Sequence, residues 1–256
     1  MDKQQYSIYS SNLNRNMTVS RYGNSGVSFL GFPTQCASSS NYEEFGVIRT
    51  LSRLIDEGKM QVFCVDTVDQ ESWYCVNGIN TWRSARQESY YRFIIDEVLP
   101  LIQRECGEET KPLVMGIDMG ATHACISFFR RPELFSGLLA LSGIYDSSYY
   151  YHGWMDSTLY DNSVECFLNN MPEDHPWIKR YNNKLMILCC GMGPWEGECL
   201  KSLRNLEKIF HKKRISAAVD IWGKDVSHDW PWWRHQLEYY VPRVIEHFSL
   251  FKENDR

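Results

Sequence analysis

Apolar positions along the chain change their period in a regular way. Tyr6 to Tyr9 and Met17 to Tyr22 alternate as edge strands do, and Asn12 to Asn16 predicts a turn between them. Val27-Ser-Phe-Leu-Gly-Phe32 is a continuous apolar run closed by Pro33, the pattern of a buried strand. Residues 42–58 then take helical spacing, with Phe45, Ile48, Leu51, Leu54 and Ile55 on one face, and stop near Gly58. Met60 to Val65 predicts the next strand, and residues 86–105 the next helix, with Tyr90, Phe93, Ile94, Val98, Leu101 and Ile102 on its apolar face. Short apolar runs at Leu113–Met115, Gly137–Leu141, Leu185–Cys190 and Ser216–Trp222 complete the strands. Helical patterns at Thr122–Arg130, 196–212 and 231–249 complete the helices.

Strands separated by helices require crossovers, so the pattern predicts an α/β fold: a mostly parallel, doubly wound sheet with helices on both faces. In such sheets ligands meet the C-terminal ends of the strands. Residues 144–183 break the rhythm. They are rich in Tyr and Trp and contain no clear strand, which predicts a small aromatic-rich cap inserted after a strand, or else a packed surface excursion. No repeat or long linker appears, so residues 1–256 are expected to form one domain with 144–183 as an insertion within it.

Composition narrows the classes. Hydrophobic residues make up 43% of the chain and the net charge is −5 with both signs interspersed, so neither nucleic acid nor an anionic membrane is an expected partner. The polar start and the absence of a span-length apolar run predict a cytoplasmic protein. Nine cysteines, several inside apolar runs, read as reduced thiols. No CxxC pair exists, and neither a metal nor a cofactor is expected.

The chemistry concentrates at Val114-Met-Gly-Ile-Asp-Met-Gly-Ala121, which runs from a strand through small residues into a helix. This is the nucleophile-elbow pattern, a glycine two positions either side of a nucleophile on a strained turn. Here the central residue is Asp118.

Around this motif the chain resembles esterases of the esterase D and feruloyl-esterase-like group, α/β-hydrolases that read G-x-S-x-G at the elbow. The likeness is carried by Gly116-Ile-Asp-Met-Gly-Ala-Thr-His123, Phe128 to Phe135, Leu139-Ala-Leu-Ser-Gly143 and Gly223-Lys-Asp-Val-Ser-His-Asp-Trp230. It implies an α/β-hydrolase fold and a small-molecule ester substrate, with Asp118 in the nucleophile's place and His228 as general base. It also implies an acid after the strand 185–190, for which Glu196 is chosen over Glu198 and Asp225. The chain order nucleophile, acid, histidine fits that fold. The resemblance further implies an oxyanion hole from the backbone N–H groups of Met119 and Gln35.

Aspartate departs from the pattern at the one residue the serine mechanism cannot lose. A carboxylate has no proton for histidine to take, yet it can attack saturated carbon. Three readings follow: an esterase whose activity is reduced or lost, an Asp-nucleophile hydrolase of halides or epoxides, or a non-catalytic binding protein keeping the pocket. Trp73, Tyr149, Trp195 and Trp230 are candidate pocket residues, and Tyr149 to Tyr151 are candidates to polarise an epoxide oxygen. His123 is expected to be packed or on the surface, and His235 and His247 structural or solvated.

Overall fold

The computed structural model describes residues 2–254. Its eight strands form one sheet: β1 (Lys3–Ser10), β2 (Arg15–Tyr22), β3 (Val27–Phe32), β4 (Met60–Val65), β5 (Leu113–Ile117), β6 (Gly137–Leu141), β7 (Leu185–Cys190) and β8 (Ala218–Ile221). The strand order is β1-β2-β4-β3-β5-β6-β7-β8. β1 and β2 pair antiparallel, β2 pairs antiparallel with β4, and the other neighbours are parallel.

The strands alternate between two apolar cores, one on each side of the sheet. Val114, Leu138, Ala140, Met186 and Leu188 enter one core, and Leu113, Met115, Leu139, Leu141 and Ile187 the other. That period of two with both faces buried is why the central strands read as unbroken apolar runs. On the second face lie the short helices α1 (Asn41–Glu44), α2 (Val47–Thr50) and α3 (Ser52–Asp56), with the long α12 (Trp230–Asn254). On the first lie α4 (Asn80–Phe93), α5 (Leu99–Cys106), α6 (Met119–Arg130) and α11 (Gly197–Lys213).

Two helical expectations need correction. Residues 42–58 are three pieces rather than one helix, because Gly46 takes φ 80° and breaks the first turn from the second. The helix expected over 86–105 starts at Asn80 and contains a π turn at Ile94–Val98. That turn widens the ladder just before Pro100, whose ring would otherwise meet a carbonyl one turn back. Between β6 and β7 the chain forms four short helices, α7 (Ser148–Tyr151), α8 (Ser157–Asp161), α9 (Val164–Asn170) and α10 (Pro176–Asn182). Leu159, Val164, Leu168, Ile178 and Tyr181 pin them to the core beside α6. Among the described residues no helix is long and apolar enough to cross a membrane.

Candidate active site

β5 ends at Ile117 and α6 begins at Met119, leaving Asp118 alone in the turn at φ 55°, ψ −123°. Such a conformation in a residue with a side chain costs on the order of 1–3 kcal/mol and persists only where its surroundings fix it. Two close approaches fix it here. A Cβ on Gly116 would lie 2.0 Å from the Gly120 carbonyl oxygen, and one on Gly120 would lie 2.2 Å from the Phe32 carbonyl oxygen. The glycines are required because backbone occupies the space a side chain would take. The Asp118 N–H donates to Leu141 O at 2.9 Å, which ties the turn to β6.

The Asp118 carboxylate has polar partners on both oxygens. Oδ1 lies 3.3 Å from His228 Nε2, and Oδ2 accepts the Gln35 N–H at 3.0 Å. Gln35 follows β3, the strand beside β5, so its amide reaches the elbow from the same sheet edge. Met119 is the first residue of α6, where an amide finds no acceptor within its own helix.

His228 is held by two loops that bond to each other. Gly193 N–H donates to Val226 O at 2.8 Å, and the His228 N–H donates to Pro194 O at 3.0 Å. Its Nδ1 lies 3.4 Å from Glu196 Oε2 and 3.7 Å from Cys199 Sγ. The ring packs edge-on against Trp233 at 4.7 Å. Glu196 is only 1% exposed, and its other oxygen accepts the Ser142 hydroxyl at 2.6 Å. Ser142 Oγ in turn accepts the Trp233 indole N–H at 3.1 Å.

Burial pulls the His228 pKa down, but hydrogen bonds to Asp118, Cys199 and Glu196 outweigh it and push it up from 6.5 to about 12. The ring is therefore an imidazolium at neutral pH, shared between carboxylates on its two nitrogens. Burial and then the Asp118 charge push the Tyr74 phenol up, and burial with the nearby Tyr74 and Asp118 does the same for Tyr150. Both phenols stay protonated. Cys36 is pushed up to about 11 by burial, then by Asp69 and Asp118.

The structure thus brings together Asp118, His228, Glu196, Gln35 and Met119. Glu198 stands away from them, its carboxylate 53% exposed and 3.4 Å from Lys201, and Asp225 is exposed. The four pocket candidates fare differently. Trp73 is 1% exposed, with its N–H donated to Gln87 at 2.8 Å, so it is a core residue and its neighbour Tyr74 faces the elbow. Tyr149 is 48% exposed and lines a small cleft with Glu198 and Ser202, while its neighbour Tyr150 turns inward. Trp195 is 89% exposed with φ 68°, which projects it into solvent. Trp230 stacks on Phe45 at 4.5 Å, and Trp233 is the indole that touches His228. His123 is packed: buried in α6, it meets Asp69 at 2.8 Å. His235 lies 3.6 Å from Glu238 on the surface of α12.

Ser142 and Cys199 went unpredicted. Cys199 carried one usable signal: it follows Glu196 by three residues into the same helix, a spacing that puts both on one face. Glu196, Cys199 and His228 each offer a ligand atom within 4.8 Å of the others. A cavity of about 670 Å³ lies elsewhere, lined by Glu88, Tyr91, Arg130, Phe167 and Trp177, and does not reach Asp118.

Against known proteins, the esterase family described as "Putative esterase" matches residues 10–244. Among solved structures, a ferulic acid esterase superposes with a TM-score of 0.75 at 14% identity, covering 96% of this chain and 98% of its own. An S-formylglutathione hydrolase from Agrobacterium tumefaciens gives 0.75 at 14% identity, covering 95% of this chain and 94% of its own. The fluorophosphonate-binding serine hydrolase FphF from Staphylococcus aureus gives 0.72 at 11% identity, covering 95% of this chain and 98% of its own. No curated protein matches in sequence. At these identities the structural likenesses speak for the α/β-hydrolase fold.

Proposed function

Because the chain belongs to the esterase family, we propose that it is an ester-hydrolase scaffold whose hydrolytic activity is strongly reduced by Asp118. One observation carries this: the Asp118 carboxylate spans His228 Nε2 and the Gln35 N–H, the two groups a serine mechanism would use. A serine hydrolase needs a base with a free lone pair and an N–H free to stabilise the oxyanion. Here the base is an imidazolium already paired with Asp118, and the N–H already donates to a negative oxygen. Glu196 holds the far side of the ring, as the acid of a triad does. The ligand in this reading is a small-molecule ester. Residues 144–183 serve as its cap within one domain. Nine free thiols fit a reducing, cytoplasmic setting.

A second reading has its own observation. Tyr74 and Tyr150 are phenols kept protonated by burial first and then by neighbouring groups that include Asp118, and such donors suit a leaving oxygen at saturated carbon. On that reading Asp118 attacks an epoxide, a phenol protonates the opening oxygen, and water cleaves the resulting enzyme ester. It ranks second because both Asp118 oxygens already hold partners.

The test compares the present chain with Asp118→Ser on p-nitrophenyl acetate. The Ser form should be faster by at least about tenfold, since activating a hydroxyl and freeing an oxyanion donor each contribute two or more orders of magnitude in working enzymes. It alone should be labelled by a fluorophosphonate. Strong ester turnover by the Asp form, without gain on substitution, sinks the first reading. Label from ¹⁸O-water in the Asp118 carboxylate after epoxide turnover would promote the second.

A further inference from the structure

We propose that Glu196, Cys199 and His228 form a binding site for a zinc-like divalent cation, with Asp118 and Ser142 as its outer hydrogen-bonding partners. The inference needs only the geometry around His228 and stands whether or not the chain hydrolyses esters.

Distances are the first ground. Zinc sits at about 2.0–2.1 Å from imidazole nitrogen, about 2.0–2.2 Å from carboxylate oxygen and about 2.3 Å from thiolate, so tetrahedral donors stand roughly 3.4–3.7 Å apart. His228 Nδ1 is 3.4 Å from Glu196 Oε2 and 3.7 Å from Cys199 Sγ, and the three donors lie within 4.8 Å of one another. The two His228 distances already match that spacing, and Glu196 and Cys199, within 4.8 Å of each other, close together to share one ion.

Chemistry is the second ground. One imidazole, one carboxylate and one thiolate make a mixed donor set of the kind zinc accepts, and the two anionic ligands neutralise a divalent charge. Cys199 is the third residue of the 17-residue α11; burial pushes its thiol up, so it is a neutral S–H until an ion displaces the proton. On binding, the ion takes the place of the protons on Nδ1 and Sγ, which leave to solvent. Three protein ligands leave a fourth position for water.

Outer partners are the third ground. A metal-bound histidine ordinarily donates its other N–H to a carboxylate, and a ligating carboxylate is itself hydrogen-bonded. His228 Nε2 faces Asp118 at 3.3 Å, and Glu196 Oε1 accepts Ser142 at 2.6 Å. In this arrangement Asp118 has a task that a serine would perform less well: it orients the imidazole and makes it a stronger ligand.

Cobalt(II), titrated into the reduced, chelator-treated protein, reads the site directly. The expected result is a near-ultraviolet thiolate-to-cobalt band saturating at one equivalent and displaced by zinc. Cys199→Ser should abolish that band and weaken zinc binding at least tenfold, and Glu196→Gln should weaken it comparably. Cys166→Ser, which removes a thiol elsewhere, should leave both unchanged. Unfolding midpoints for each variant separate lost ligands from lost fold. No thiolate band in the folded parent, or an undiminished one in folded Cys199→Ser, overturns the proposal. Because the readout is binding, it fails or succeeds independently of the Asp118→Ser esterase comparison.

Discussion

Two histidines of this protein are paired with aspartate, and their surroundings differ in every respect that matters. His123 and Asp69 are sealed, with side chains 1% and 0% exposed and 2.8 Å between Nε2 and Oδ1. The second Asp69 oxygen accepts the Cys36 N–H at 2.9 Å, so both oxygens are satisfied by protein. His228 and Asp118 are part-open at 19% and 16%, their contact is longer at 3.3 Å, and the ring has two further partners, Glu196 and Cys199. A sealed, saturated pair is a pin. It fastens α6 to the loop after β4 and steadies the Cys36 end of the loop that presents Gln35. A half-open ring with more acceptors than it can serve is a site. The pair of motifs alone would not separate the two; burial and the surplus of partners do.

The largest expected effect breaks the sealed pair. Asp69→Ala leaves a buried imidazole and the Cys36 N–H without an acceptor, which should cost about 3 kcal/mol in a denaturant titration. A loss under about 1 kcal/mol would mean the pair holds nothing in place. The next effect is smaller and tests the half-open region. Trp233→Phe keeps the ring against His228 but removes the N–H donated to Ser142, for an expected cost of about 1 kcal/mol. An unchanged midpoint would detach the Trp233–Ser142–Glu196 chain from the support of His228.

Much of this was legible in the residues. The strands announce themselves because both faces of the sheet are buried, so Leu113 to Ile117 and Gly137 to Leu141 are apolar throughout. Asp118 could be found because the elbow's glycines answer to backbone atoms at fixed spacing, and His228 and Glu196 because the family resemblance points to the loops that follow β8 and β7. Other features are set by tertiary packing. Whether Trp73 or Tyr74 lies near Asp118 depends on how the loop after β4 packs, and there the expectation was one residue off; of the run Tyr149 to Tyr151, it is Tyr150 that turns inward while Tyr149 is exposed. Cys199 meets His228 only because the first turn of α11 lies against the loop after β8, a contact between residues 29 positions apart.

The most direct measurement of the central claim, that Asp118 occupies His228, is an NMR titration of the His228 ring protons in the present chain and in Asp118→Ser. The present form should hold its proton far above the ordinary imidazole pKa of about 6.5, towards about 12. A folded-state pKa raised in this way stabilises the protein fully below the unfolded value of about 6.5 and is lost as pH rises through the folded one. Stability should therefore fall with pH between those limits. Removing the Asp118 charge should lower the His228 pKa and make that decline shallower. If the two forms titrate alike, Asp118 does not face His228, and neither the blocked-esterase reading nor the assignment of Asp118, His228 and Glu196 to one site survives.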